Sequence, residues 1–343
     1  MNTLKQLIQY RNLDQQEMKS FVQLMMNETE DVSLKVAHLV ALSMKGETSD
    51  ELSYLTENLI ATTYKNRPYI EDSMCVCGTG GDHSGSFNIS TTASFVVAAA
   101  GLKVLKHGNK SITSKTGSID ILSALNIQTT PINEATKRVN DTNLAFLSAT
   151  ETYPIMKTVQ PVRKTITTPT TFNLIGPMIH PYKLDYQVMG VYDESKLSTI
   201  AEALYKLGRK RAIVLHGAGG MDEATLSGDN IIYEISQEEG IKNYTINAED
   251  FGLQAASNDA LKGGTAEENK HITLNILSGQ DNGPKRDVVV LNAALALYIG
   301  GVVETIEEGI EKSQSIIDNK EALAILDQVG GQVYDNIGWN RWI

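Results

Sequence analysis

Cysteine is almost missing from this chain: Cys75 and Cys77 are the only two in 343 residues. So small a number excludes a disulfide framework, and with it the zinc sites built on several cysteines. The pair reads as two core residues pointing to opposite faces of an extended run. Long hydrophobic runs are also lacking. The longest, 287–303, is bounded by charge, interrupted by Asn292, and short of the roughly 20 residues a membrane helix needs, so a buried helix is expected. The opening Met1-Asn2-Thr3-Leu4-Lys5 has no apolar signal block, and a cytoplasmic protein is expected.

Positive charge is in deficit. Thirty basic residues face 41 acidic ones, a formal net charge of −11, which opposes non-specific attachment to nucleic acid or to an anionic membrane surface. No low-complexity tract and no repeat of solenoid length occurs. A nucleotide P-loop, the three spaced glycines of a dinucleotide site and a nucleophile elbow are absent as well.

Residues 4–64 carry helical spacing throughout. Gly46 ends one helix, and Thr48 with Glu51 forms a capping-box signature for the next, whose apolar face includes Leu52, Leu55 and Leu59. After Pro68, short apolar runs at 74–77, 102–105, 144–148, 186–192 and 212–216 alternate with helical stretches. That alternation predicts an α/β fold: a mostly parallel central sheet plus a smaller all-helical domain. The expected boundaries are a helical domain at 1–68, joined by part of 164–185, and an α/β domain at 69–163 and 186–343. The proline-bearing segment 165–181 is read as an irregular return to the helical domain that forms a hinge.

Polar motifs follow the strands, where ligands of parallel sheets bind. Gly78-Thr79-Gly80-Gly81-Asp82 and Ser86-Phe87-Asn88-Ile89-Ser90-Thr91 lead into an apolar helix, a pattern that brings backbone amides against phosphate. A second strand ends in Lys106-His107-Gly108-Asn109-Lys110-Ser111, followed by Ser114 and Ser118, a loop rich in charged and hydroxyl donors. His107 reads as lining this site, not as a general base. After a third strand, Asp222 and Glu223 on a glycine loop suit a hard cation such as magnesium. Arg163 is a candidate for pairing a substrate carboxylate.

These strings, with Phe172-Asn173-Leu174-Ile175-Gly176-Pro177, Met221-Asp222-Glu223 and Gly283-Pro284-Lys285-Arg286-Asp287, resemble the anthranilate phosphoribosyltransferases along nearly the whole chain. The resemblance implies transfer of the phosphoribosyl group of phosphoribosyl pyrophosphate to anthranilate, giving N-(5-phosphoribosyl)anthranilate and pyrophosphate in tryptophan biosynthesis. It also implies Mg2+ as cofactor and a homodimer. By motif, phosphoribosyl pyrophosphate would be held by Gly78, Gly81, Asp82, Ser86, Asn88, Ile89, Ser90 and Thr91. The second loop would add Lys106, His107, Gly108, Asn109, Lys110, Ser111, Ile112, Thr113 and Ser114, with Ser118. Gly78, Asn109 and Arg163 would contact anthranilate, and Ser90, Asp222 and Glu223 the metal. The chain departs from the family in having Tyr153-Pro154 where members commonly carry His-Pro, and Pro169 where many have arginine. Two alternatives are disfavoured: a pyrimidine nucleoside phosphorylase by the Asp222-Glu223 pair, and a non-catalytic nucleic-acid-binding relative by the acidic charge.

Overall fold

The computed structural model describes residues 3–109, 116–166 and 168–330. Lys110, Ser111, Ile112, Thr113 and Ser114 lie outside the described residues, as does the tail with Trp339 and Trp342. Four helices open the chain: Thr3–Ile8, Gln15–Met26, Val32–Lys45 and Ser49–Thr63. Side-chain caps fix where three of them begin. Asp14 and Glu17 form a capping box, Asp31 accepts from Ser33 N and Leu34 N, and Thr48 and Glu51 form the box expected from the sequence. Gly46, at φ 83°, closes the third helix at little cost because it has no Cβ. The inner faces bury Met18, Phe21, Met25, Leu39, Leu42, Leu52, Leu55 and Leu59.

Seven strands form one sheet: β1 Ser73–Gly78, β2 Lys103–Gly108, β3 Leu144–Ser148, β4 Tyr186–Gly190, β5 Arg211–His216, β6 Asn230–Ser236 and β7 Gly240–Ile246. Their order is β3-β2-β1-β4-β5-β6-β7. The first five are parallel, and β6 and β7 extend the sheet as an antiparallel hairpin. The alternation in the sequence gives no sign of this hairpin. Its edge strand is largely solvent-facing and polar, so it carries no continuous apolar run.

Alternate strand residues enter two cores. Met74 and Val76 pack on one face with the helices Ile89–Ala99 and Pro284–Ile299, while Cys75 and Cys77 pack on the other with the helical unit. The expectation that the two cysteines face opposite ways is therefore corrected. Residues two apart in a strand share a face. Both are free and buried.

The segment 165–181 is partly helical, over Thr171–Ile175. Thr171 Oγ1 donates to Glu47 Oε1 at 2.5 Å, and Arg67 donates to the carbonyls of His180 and Tyr182. The buried helix expected from the sequence is Pro284–Ile299. Among the described residues no helix is long and apolar enough to cross a membrane.

Candidate active site

Strand order reverses between β1 and β4, so the carboxyl ends of these two strands flank a crevice. Thr79 N donates to Gly190 O and ties the first glycine turn to the end of β4. Gly80 and Gly81 adopt φ 68° and 86°, which only glycine takes up without strain, and this lets the chain double back over the strand ends.

The segment Met221-Asp222-Glu223 crosses the same crevice from β5. A Cβ added to Gly78 would overlap the Asp222 carboxylate, and one on Gly190 or Gly217 would overlap the carbonyl of Asp222 or of Glu223. Three glycines from three strand ends thus form a saddle on which the acidic segment lies. Gly80 N donates to Asp222 Oδ2 at 2.6 Å, and Ser90 N to Glu223 Oε1 at 3.3 Å. Asp82, Asp222 and Glu223 bring carboxylate oxygens within 4.8 Å of one another. Burial, and then the neighbouring Asp82, push Asp222 up to about 7, and burial beside Asp222 raises Glu223 well above the carboxylate range. Asp82 Oδ2 is buried without a hydrogen-bond partner among the described residues. Three crowded, under-neutralised carboxylates are a donor set for a hard divalent cation.

Lys106 is buried, its Nζ donating to Val76 O at 2.6 Å and Ser90 Oγ at 3.1 Å. Desolvation lowers its pKa. His107 meets Thr152 Oγ1 at 2.8 Å, and burial lowers it to about 4, so it is neutral at pH 7. That fits a lining role. Ser118 Oγ donates to Asn109 O at 3.1 Å and closes the second loop, and a Cβ on Gly108 would strike Ser118.

A single cleft of about 350 Å3 gathers these groups. Its walls include Gly78, Gly81, Asp82, Ser86 and Asn88, with Ser90 and Thr91 at the start of the Ile89–Ala99 helix. Lys106, His107, Gly108, Asn109 and Ser118 also line it, and Arg163, Asp222 and Glu223 complete it. Ile89 is the exception: it is fully buried in the core and is not among the residues lining the cleft. Sequence reasoning assigned no role to Ala149, Phe172, Asn173, Gly176 or Pro177, which also line the cleft. It also missed Asn269, whose amide donates to Asn88 Oδ1 at 3.0 Å. The Phe172–Pro177 string is visible in the sequence, but only folding carries it to the cleft.

Arg163, on the helix Gln160–Thr165, projects its guanidinium into the cleft with no ion pair or hydrogen bond among the described residues. Desolvation lowers its pKa. A partly buried cation without a partner is costly, and an anionic ligand group removes the cost. Tyr153 does not reach the cleft. It is buried edge-on against His107 and Tyr64, with ring centroids at 6.0 and 5.3 Å.

The helical bundle domain of a glycosyl transferase family matches residues 1–63, and the a/b domain of such a family matches residues 71–323. An anthranilate phosphoribosyltransferase of Staphylococcus saprophyticus is 53% identical over 98% of this chain and 100% of its own length. The chain belongs to the anthranilate phosphoribosyltransferase family. It is a glycosyltransferase. The Staphylococcus carnosus relative is 52% identical over the same shares of the two chains. The crystal structure of the Thermus thermophilus anthranilate phosphoribosyltransferase superposes with a TM-score of 0.89 at 32% identity, covering 96% of this chain and 98% of that one. The fold is shared with the Saccharomyces cerevisiae enzyme in complex with PRPP and Mg, at a TM-score of 0.83 and 24% identity over 92% of this chain and 91% of that one.

Proposed function

We propose that the chain transfers the phosphoribosyl group of phosphoribosyl pyrophosphate to the amine of anthranilate, with release of pyrophosphate, in tryptophan biosynthesis. The observation that carries this reading is one cleft holding a glycine-rich turn, a three-carboxylate centre and an arginine with no partner among the described residues.

In this reading the phosphates lie against the backbone of Gly78, Gly81 and Asp82 and the polar groups of Ser86, Asn88, Ser90 and Thr91. Lys106, His107, Gly108, Asn109 and Ser118 hold the ribose and phosphates from the other side. Ser90, Asp222 and Glu223 would hold Mg2+, which when bound offsets the charge developing on pyrophosphate as it leaves. The Asp82 carboxylate oxygen without a partner among the described residues supports the fit of a cation there. Arg163 pairs the anthranilate carboxylate, and Gly78 and Asn109 border the acceptor. The acceptor's amine is neutral at pH 7, so the cleft supplies orientation and charge stabilisation and needs no strong base. A neutral His107 agrees with that economy.

Dimerisation belongs to the same reading. On the helix Val32–Lys45, Val32, Val36, Val40 and Met44 repeat at four-residue spacing, and Val32, Val40 and Met44 are exposed beside exposed Ile8 and Tyr10. An outward apolar stripe on a helix otherwise anchored by its inner face suits a second copy of the chain.

The test is direct. Anthranilate fluorescence should fall when protein, phosphoribosyl pyrophosphate and Mg2+ are present together, and omission of any one should abolish the change. A stable signal with all three present overturns the proposal.

A further inference from the structure

The helix Pro284–Ile299 runs through the core with 11 of its 16 residues buried, and Asn292 is the one polar side chain among those 11. A buried amide at such a position is costly unless all its hydrogen-bonding groups are used. Here they are. Asn292 Oδ1 accepts from Ala224 N at 3.1 Å, and Nδ2 donates to Ala224 O and Val288 O, both at 2.8 Å. Two of the three bonds leave the helix, and both go to one residue. Ala224 directly follows Glu223.

The acidic segment is therefore held from two sides. The glycine saddle of Gly78, Gly190 and Gly217 supports Asp222 and Glu223 from below, and Asn292 grips both backbone groups of Ala224 from the core. The saddle only prevents approach beyond a limit. The amide is directional, fixing the rotation of the peptide groups on either side of Ala224 and hence the direction in which Glu223 leaves the chain. Both bonds to Ala224 limit how far the segment can move relative to the core helix.

We infer that Asn292 is a positioning residue for the metal-binding carboxylates, which sets cation affinity without touching cation or substrate. The inference rests on the proposed metal role of Asp222 and Glu223.

Two isosteric variants test it: Asn292→Leu, which removes all three bonds, and Asn292→Asp, which keeps the acceptor for Ala224 N and loses the donor to Ala224 O. Binding of Mn2+ is followed by the free-ion electron paramagnetic resonance signal at saturating phosphoribosyl pyrophosphate, with thermal unfolding measured on the same samples. Both variants should bind Mn2+ roughly 10- to 100-fold more weakly, the scale found for groups that orient metal ligands. The Michaelis constant for anthranilate should change far less, because Arg163, on the helix Gln160–Thr165, lies on a different element from Ala224. Folded variants that bind Mn2+ as tightly as the wild type overturn the inference, whatever their melting temperature. If Asn292→Leu does not fold, Asn292→Asp alone decides. Failure of the wild type itself to bind Mn2+ would bring down the metal reading, and a wild type that binds while Asp222→Asn/Glu223→Gln does not would uphold it, so the two failures remain distinct.

Discussion

At the scale of single residues, Arg163 and the acidic pair are distinguished by what they lack. Arg163 has no partner among the described residues, and the carboxylates of Asp82, Asp222 and Glu223 crowd together without a neutralising ion pair among those residues. Arg163→Ala should raise the Michaelis constant for anthranilate ten- to a hundredfold, equivalent to about 1.5–3 kcal/mol for a charge-assisted pair, and leave that for phosphoribosyl pyrophosphate nearly unchanged. Lysine there should rescue only in part, since a point charge cannot reproduce the planar fork. Equal changes for both substrates in steady-state kinetics would assign Arg163 to the fold instead. Asp222→Asn/Glu223→Gln should abolish turnover while circular dichroism stays native, and near-normal magnesium-dependent activity would refute the metal assignment. Both candidates were legible in the sequence because charge stood within recognisable motifs. Asn292 was visible only as an interruption of an apolar run, since nothing local indicates that its partner lies 68 positions away.

At the scale of elements, the acidic segment depends on the glycines at three strand ends. Gly190 closes β4 outside the left-handed region, so no turn demands glycine there; close approach of the Asp222 backbone does. Gly190→Ala should displace the segment, costing about 1–3 kcal/mol of stability as over-packing does, and should reduce activity more than the loss of folded protein explains. Comparing kcat with the folded fraction from urea titration checks this, and full activity per folded molecule would remove the saddle from the argument. The capping box of Thr48 and Glu51 was readable in advance, because both partners sit within one turn of chain. The hairpin of β6 and β7 was not readable, because its register comes from pairing with β5.

At the scale of the whole molecule, two cores meet the sheet from opposite faces, and titration of the buried His180 depends on that enclosure. His180 Nε2 lies 3.0 Å from Leu105 O, and Nδ1 lies 3.0 Å from Tyr182 N and 3.1 Å from Tyr182 O; burial, and then the neighbouring His107, hold its pKa well below 6.5. The unfolded chain takes up a proton as pH falls below about 6.5 and the folded chain does not, so this site stabilises the fold above that pH and loses its contribution under acid. Asp222, raised to about 7, works in the opposite direction, so the net pH profile of the wild type mixes the two. The difference between wild type and His180→Asn cancels the Asp222 effect. The stability cost of that substitution should shrink by on the order of 1 to 2 kcal/mol between pH 7.5 and pH 5. A cost independent of pH would mean that His180 titrates normally. Ile8→Glu/Met44→Glu should convert a dimer into monomers in sedimentation, and an unchanged mass would move the interface elsewhere.

The sequence by itself determined the helical opening, the five parallel strands and the glycine turns after them, because each is written in spacing and caps within a few residues of one another. It also determined the family, through motifs spread along the chain. Tertiary structure alone decided that both cysteines share a face, that Phe172 and Pro177 border the cleft, and that three glycines and Asn292 hold one acidic segment in place. Those relations join distant positions, and distance in the chain leaves no local pattern to read.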